Sequence, residues 1–272
     1  MTDPSGNAGS PVASFYDGLA PDYDAMTCLE ERLKTERSSY AALVERYGIR
    51  RALDAGSGTG FHSLMLAALG VEVTAVDCSA GMLERLDERA RTLGLPVRTL
   101  QSDFASLPGR VAPNLDAVLC MGNTFPHLLE PGARGEALAA FRALLRPGGL
   151  LVVQSVNFHR VISLGQNIQS VRASGTTTYV RWYEFTPGPV RFHVLTIWRE
   201  GDVLKHADRS VPLLPADAPR VCAELEEAGF GAIRVFGSVL WDDYDPLRSP
   251  DLVVTALRRH ESPAESAGRK SR

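Results

Sequence analysis

From residue 51 onward, short apolar runs alternate with longer segments whose apolar positions recur every three or four residues. Residues 51–55 read as a buried strand, followed by a helix over 61–70 that Gly70 closes. A second strand over 71–77 ends on Asp77, and a helix over 79–94 starts on Ser79 as N-cap and stops at Gly94. Strands follow over 97–103 and 115–121, then a helix over 132–149 with a Pro-Gly-Gly stop, then a fifth strand over 150–156. Continuous apolar strands separated by helices predict a parallel sheet covered on both faces.

The rhythm then changes. Over 176–211, aromatic and β-branched residues alternate with polar ones around Pro/Gly turns, the pattern of β-hairpins. A helix over 215–230 and strands over 233–239 and 251–259 follow. The organisation predicted is a disordered stretch over 1–13, one domain over 14–260, and a disordered tail over 261–272. Within the domain, an N-terminal helical cap (14–50) precedes a core (51–156 and 212–260) interrupted by an antiparallel insertion or lid (157–211).

Composition narrows the function classes. With 29 Lys and Arg against 32 Asp and Glu, the net charge of -3 leaves no basic footprint for nucleic acid. No apolar run approaches the roughly 20 residues of a membrane span. The N-terminus lacks the basic and apolar regions of a secretory signal. Cys28, Cys78, Cys120 and Cys222 lie far apart, so they read as reduced core residues, and no His/Cys/carboxylate cluster has metal-ligand spacing. The expectation is a soluble, cytoplasmic protein.

The chemistry centres on ALDAGSGTGFHS, residues 52–63, with glycines at 56, 58 and 60. Such a loop after the first strand of an open sheet lets backbone approach a ligand at the point where strand order reverses. Gly56 and Gly58 suit a tight turn, and Gly60 suits a helix starting close to the sheet. A phosphate-binding P-loop is excluded, because Phe61-His62 stands where Lys-Ser/Thr would follow. The third glycine also arrives one residue early for the dinucleotide fingerprint G-x-G-x-x-G. Asp77 can take both hydroxyls of a ribose, in a dinucleotide or in S-adenosylmethionine. Asp54 before the loop would repel a pyrophosphate and favour a cationic amino group. Asp103-Phe104 pairs an acceptor for an adenine amino group with an apolar wall.

This arrangement resembles the class I S-adenosylmethionine-dependent methyltransferases. The resemblance is carried by LDAGSGTG (53–60), Asp77, SDF (102–104), DAVLCMGNTFPHLL (116–129) and LLRPGGLLVV (144–153). It implies a Rossmann-like, doubly wound seven-stranded sheet with an N-terminal helical cap and a small antiparallel β insertion after strand five. The cofactor set it implies is Asp54, Gly56, Ser57, Gly58, Gly60, His62, Asp77, Cys78, Met82, Asp103, Phe104 and Met121. Within the class, GTGFHS, CMGNTFPHL and VNFHRVI resemble the glycine N-methyltransferase and glycine/sarcosine methyltransferase group. FYDGLAPDYDAM (15–26) is similar to the Tyr-Asp opening of many small-molecule methyltransferases, so Tyr16, Tyr23 and Arg37 are expected over the methionyl end. The resembling enzymes form dimers or tetramers. In the glycine-methylating enzymes an Arg beyond strand five grips the substrate carboxylate bidentately. Val156 stands at that position, with Arg160 close by, which puts glycine itself in doubt and brings the similar amino-sugar N,N-dimethyltransferases into the candidate range.

The expected activity is methyl transfer to a small molecule. An amine nitrogen is the leading acceptor and O- or C-methylation of a secondary metabolite the alternative. A non-catalytic cofactor-binding subunit and a nicotinamide oxidoreductase are the readings outside it. His127 is the candidate base or substrate contact, the alternative being a tie to the loop backbone around Pro126. Asn123 is the candidate orienting amide. Asn157 and His159 leave strand five toward the same face. Tyr179, Arg181 and Tyr183 share one face of the insertion, as a pocket wall or as ordinary packing.

Overall fold

The computed structural model describes residues 10–260. The expectations of disorder at 1–9 and 261–272 lie outside the described residues. Residues 11–13, also expected to be disordered, instead open the first helix, α1 (Pro11–Asp17), because a proline at the first helical position has no N–H to satisfy. Three more short helices, α2 (Tyr23–Thr27), α3 (Leu29–Thr35) and α4 (Arg37–Tyr47), complete the N-terminal cap.

The core then alternates as β1 (Arg51–Ala55), α5 (Phe61–Ala67), β2 (Glu72–Asp77), α6 (Ala80–Leu93), β3 (Val97–Gln101), β4 (Leu115–Cys120), a 3-10 turn (Phe125–His127), α7 (Ala133–Leu144) and β5 (Leu145–Val156). Helix α6 is bounded as its residues require. The Ser79 side chain accepts from Met82 N, and Gly94 at the far end sits at φ 65°.

A lid follows β5, made of α8 (Phe158–Ser163), β6 (Ile168–Ser174), β7 (Thr177–Glu184), β8 (Val190–Glu200) and β9 (Val203–Leu213). Its four strands pair antiparallel in the order 6-7-8-9. The hairpins of β7 to β9 follow the predicted alternation, whereas β6 was not legible. All but two of its residues are exposed, so it carries little apolar pattern. The lid packs through Tyr179, Val194 and Val211 onto Phe15 and Met26 of the cap and Met82 of α6, and through Tyr183 and Leu213 onto Phe158 of α8.

Helix α9 (Ala218–Glu227) is capped by Asp217, and β10 (Phe230–Phe236) and β11 (Asp251–Arg258) close the sheet. The order is β10-β11-β5-β4-β1-β2-β3. Strands β1 to β5 pair in parallel, as the alternation with helices predicts, and the last two strands add an antiparallel edge. Strand β11 runs antiparallel to both β5 and β10, because residues 237–250 contain no crossover helix to carry the chain back for a parallel return. Both faces are covered. Phe141 and Leu225 pack with Val118, Leu151 and Val254 on one side, and Tyr40, Leu43 and Met65 with Ala52, Ala117 and Val152 on the other.

The cap is fastened to α6. The Asp17 Oδ1 atom accepts from Ser79 Oγ at 2.6 Å and from Gly81 N at 3.0 Å, placing a carboxylate at a helix N-terminus. Arg89 of α6 pairs with Asp24 of α2.

Gly60 has a role different from the predicted one. A Cβ on it would stand 2.1 Å from Leu86 Cδ1, so its absence lets the loop pack against α6 rather than letting α5 approach the sheet. With φ at 95° as well, Gly60→Ala combines a left-handed strain with overpacking, for an expected loss of roughly 2–4 kcal/mol in urea unfolding. A loss under about 1 kcal/mol would show that Leu86 moves freely aside.

Candidate active site

Strand order reverses between β1 and β4, and the loops leaving their carboxyl ends flank a crevice. A cavity of ≈ 230 Å³ opens there. Its wall includes Gly56, Ser57, Gly58, Asp77, Asp103 and Phe104 on the sheet side, with Tyr16, Tyr23 and Arg32 from the cap opposite. His62 and Cys78 line it too, and Gly122, Thr124, His127 and Leu128 come from the segment after β4.

The glycine loop is folded back onto β2. Gly56 N and Ser57 N both donate to Val76 O, at 2.7 and 2.9 Å. A Cβ at Gly56 would stand 2.3 Å from Thr124 Cγ2, so that glycine lets the two loops touch. Gly58 differs: at φ 54° its missing Cβ would meet only Tyr23 Cε1, at 3.9 Å, so here bare backbone faces the cavity.

Asp77 is the polar anchor. Its Oδ2 accepts from Gly58 N at 2.8 Å and its Oδ1 from Ser79 N at 2.9 Å. Burial raises its pKa, and these backbone donors oppose the rise. Each oxygen keeps a further lone pair, enough for a pair of vicinal hydroxyls. Asp103 is held by Ser106, whose N and Oγ donate to its two oxygens at 2.8 and 3.0 Å, while Phe104 packs on Phe141 with ring centroids 5.2 Å apart.

At the other end, Tyr16 Oη and His127 Nε2 are hydrogen-bonded at 2.8 Å, and the Tyr16 ring meets the Tyr23 and His127 rings edge-on. Burial lowers the His127 pKa to about 4 and that of His62 to about 3, so both imidazoles are neutral at physiological pH. His62 Nδ1 pairs with Tyr40 Oη. Burial pushes the Cys78 thiol up to about 12 and raises both Tyr16 and Tyr23. Among the described residues, Ser57 Oγ and His127 Nδ1, two buried polar atoms of the wall, have no hydrogen-bond partner.

Residues 52–149 match a family described as a methyltransferase domain. The glycine/sarcosine N-methyltransferase of Parasynechococcus marenigrum (strain WH8102) is 33% identical over 235 residues, covering 85% of this chain and 81% of the relative. The chain belongs to the class I S-adenosylmethionine-dependent methyltransferases. The glycine/sarcosine N-methyltransferase of Halorhodospira halochloris is 34% identical over 151 residues, a match spanning 56% of each protein, little more than half the relative's length. An S-adenosylmethionine-dependent methyltransferase from Clostridium acetobutylicum ATCC 824 shares the fold with a TM-score of 0.75 at 16% identity, covering 90% of this chain and 99% of that one.

The cavity of this methyltransferase fits the cofactor of its family. Spare acceptor capacity on Asp77, bare backbone at Gly58, an apolar wall at Phe104 and the partnerless Ser57 Oγ suit a ribose, an adjoining main-chain contact, an adenine and a polar tail.

Several predicted site residues stand elsewhere. Asp54 is fully buried beneath the loop, accepts from Ser63 Oγ at 2.6 Å and does not line the cavity, because its place in β1 turns it toward α5. Met82 and Met121 are core residues, Met82 beneath the cap and Met121 against Tyr40 Oη. Arg37 is exposed at the start of α4. The cavity's cation is instead Arg32, one turn after the buried Leu29 of α3, with its guanidinium 3.9 Å above the Phe61 ring and Nε 2.8 Å from Glu36 Oε1. That i, i+3 relation to a buried leucine was the available signal.

Asn123 does not face the cavity either: its Oδ1 accepts from Val156 N at 3.1 Å, stitching the ends of β4 and β5. Asn157 caps α8 and donates to Pro246 O and Ser249 O, and at 1% exposure it has nothing left for a substrate. His159 is exposed on α8. Tyr179 is buried and donates to Asp22 Oδ1 at 3.0 Å, tying lid to cap. Tyr183 packs on Phe158 and Phe192. His127 bonds Tyr16 rather than its own loop, and an imidazole held near 4 is a weak base for chemistry at neutral pH.

Burial sets a pH signature. His62 and His127 stay neutral in the fold while an unfolded chain takes up protons below about 6.5, so they subtract stability as pH falls. Asp54, raised to about 7 chiefly by burial, holds a proton in the fold over a range where the unfolded chain has lost it, so it adds stability as pH falls from 7 toward 4. Between pH 4.5 and 6.5, Asp54→Asn is expected to lose stability on acidification more steeply than wild type, by up to about 1.4 kcal/mol per pH unit, and His127→Gln less steeply. Urea titrations across that range measure both slopes, and parallel curves would refute the assignment.

Proposed function

We propose that this methyltransferase transfers a methyl group from S-adenosylmethionine to the nitrogen of a small amine. The observation that carries the reading is the protonation state of the cavity around Tyr16. His127 and His62 are held far below neutrality, and Tyr16, Tyr23 and Cys78 above their ordinary values. None of these five is poised near pH 7 to take a proton. A hydroxyl or acidic carbon usually calls for such a base, whereas an amine that binds uncharged brings its own lone pair. The relatives named as glycine/sarcosine N-methyltransferases support the same choice of atom.

The bound cofactor supplies an electrophilic methyl on a sulfonium, and the chain supplies position and dryness. Asp77 and Gly58 hold one end, and the Tyr16–His127 pair with Tyr23 walls the other and excludes water. Alignment of this kind contributes roughly 7–11 kcal/mol to a displacement without any proton transfer by the protein.

Two measurements test this. S-adenosylhomocysteine is expected to raise the melting temperature where NAD does not, and a panel of amines, alcohols and amino acids is expected to release S-adenosylhomocysteine with amines only. With an active amine, kcat/KM should rise with pH along the acceptor's own ionisation, and His127→Gln should leave the position of that rise unchanged. A rise that vanishes in His127→Gln, or turnover with hydroxyl acceptors, would overturn the proposal.

A further inference from the structure

The lid sheet has two faces, which alternate along each strand. Tyr179, Arg181 and Tyr183 of β7 point inward. The two tyrosines are buried against the cap and against Phe158, while Arg181, which is no part of the cavity wall, donates from Nε to Ser170 Oγ of β6 at 2.8 Å. On the outward face the register sets Ile168 beside Trp182 and Val171 beside Val180, and Leu195 and Ile197 of β8 continue the apolar surface. Ile168 and Val171 are 53% and 60% exposed, and the other four are half-buried. Among the described residues, none of the six joins an apolar cluster of the core.

An antiparallel sheet with one face on the core ordinarily turns polar side chains to water on the other. Strand β9 obeys that rule with His206, Asp208 and Ser210, whereas β6, β7 and β8 break it over a contiguous block. Charge is confined to the margin: Glu184 and Arg191 stand at one end, Arg199 at the other, and Asp208 beside the block on β9. An apolar centre inside a polar rim is the anatomy of a protein interface. Trp182 is already fixed by stacking on His193, ring centroids 4.0 Å apart, which lowers the entropy cost of using it as an anchor.

Charge and area together select the partner. Two acids and two arginines leave the face without net charge, so it has no basic footprint for nucleic acid or an anionic membrane, and identical faces do not repel. Four strands about 4.8 Å apart, over the eight residues of β7, span roughly 500 Å². Two such faces laid together reach the roughly 1,000 Å² that a specific interface requires. The surface that fits this face is another like it, and two-fold pairing supplies one by using the same patch twice.

We propose that the outward face of the lid is the contact between two copies of this chain, packed sheet on sheet and centred on Val180 and Leu195.

The mass in solution tests this, measured by light scattering on the full chain at micromolar concentration. Wild type is expected at twice the mass of one chain. Leu195→Glu and Val180→Lys, which would bury a charge against the second copy, should each give the mass of one chain, while Leu93→Glu at the exposed end of α6 should not. S-adenosylhomocysteine affinity, read by calorimetry, should stay unchanged in all three, because the inward face is untouched. Leu195→Ala and Ile197→Ala remove apolar surface without adding charge and should each weaken the dimer at least about ten-fold. The alanine pair decides the matter if a charged variant does not fold. Wild type at the mass of one chain, a dimer that persists in Leu195→Glu, or alanine variants that dissociate like wild type would each overturn the inference. So would a dimer that Leu93→Glu disrupts equally, since the contact would then lie elsewhere.

Discussion

The site depends on one carboxylate. Asp77 closes β2, and through its two oxygens it gathers the Gly58 and Ser79 N–H groups, which belong to the glycine loop and to the cap of α6. Three segments that must be in register for a ligand to bind are therefore referred to a single side chain. Burial raises the pKa of this carboxylate, and backbone donors that cannot move away oppose the rise. The surrounding glycines are consequences of that convergence. Gly56 admits Thr124, Gly60 admits Leu86, and Gly58 alone presents backbone to the cavity.

Ser79 extends the arrangement outward. Its backbone serves Asp77, while its hydroxyl serves both Met82 N, as helix cap, and Asp17 of α1. The cap is joined in turn to the lid through Tyr179 and Asp22, and through Arg172 and Cys28. Cavity wall, cap and lid are thus joined by a chain of polar contacts, alongside the apolar packing of Val194 and Val211 on Phe15. The cap residues Val12, Tyr16 and Tyr23 stand on the cavity wall.

The core was legible because its signals are local. Ser79 and Gly94 bound α6 by their own chemistry, and the buried strands show as apolar runs. Asp77, Gly58, Asp103 and Phe104 were legible as cavity residues because position at a strand end decides where they point. What failed was side-chain direction within elements and contacts across them. Asp54 sits one residue from the end of β1, yet its orientation sends it under the loop. Asn123 and Asn157 have the chemistry of substrate ligands, and the ends of β4 and β5 and the start of α8 consume their amides. Arg37 and Arg32 are equivalent in composition, and only the packing of α3 against α5 chooses between them. Strand β6 escaped notice because an exposed edge strand carries no hydrophobic period.

The distribution of charge gives the cavity its selectivity. A sulfonium cofactor is itself cationic, and a wall carrying protonated imidazoles would repel it at close range. Burial removes that repulsion by holding His62 and His127 neutral, and Tyr16 engages His127 Nε2 so that the ring still serves as a hydrogen-bonding surface. The cation that shares the wall with these imidazoles carries its own counter-charge. Arg32 is balanced by Glu36 and spread over the face of Phe61.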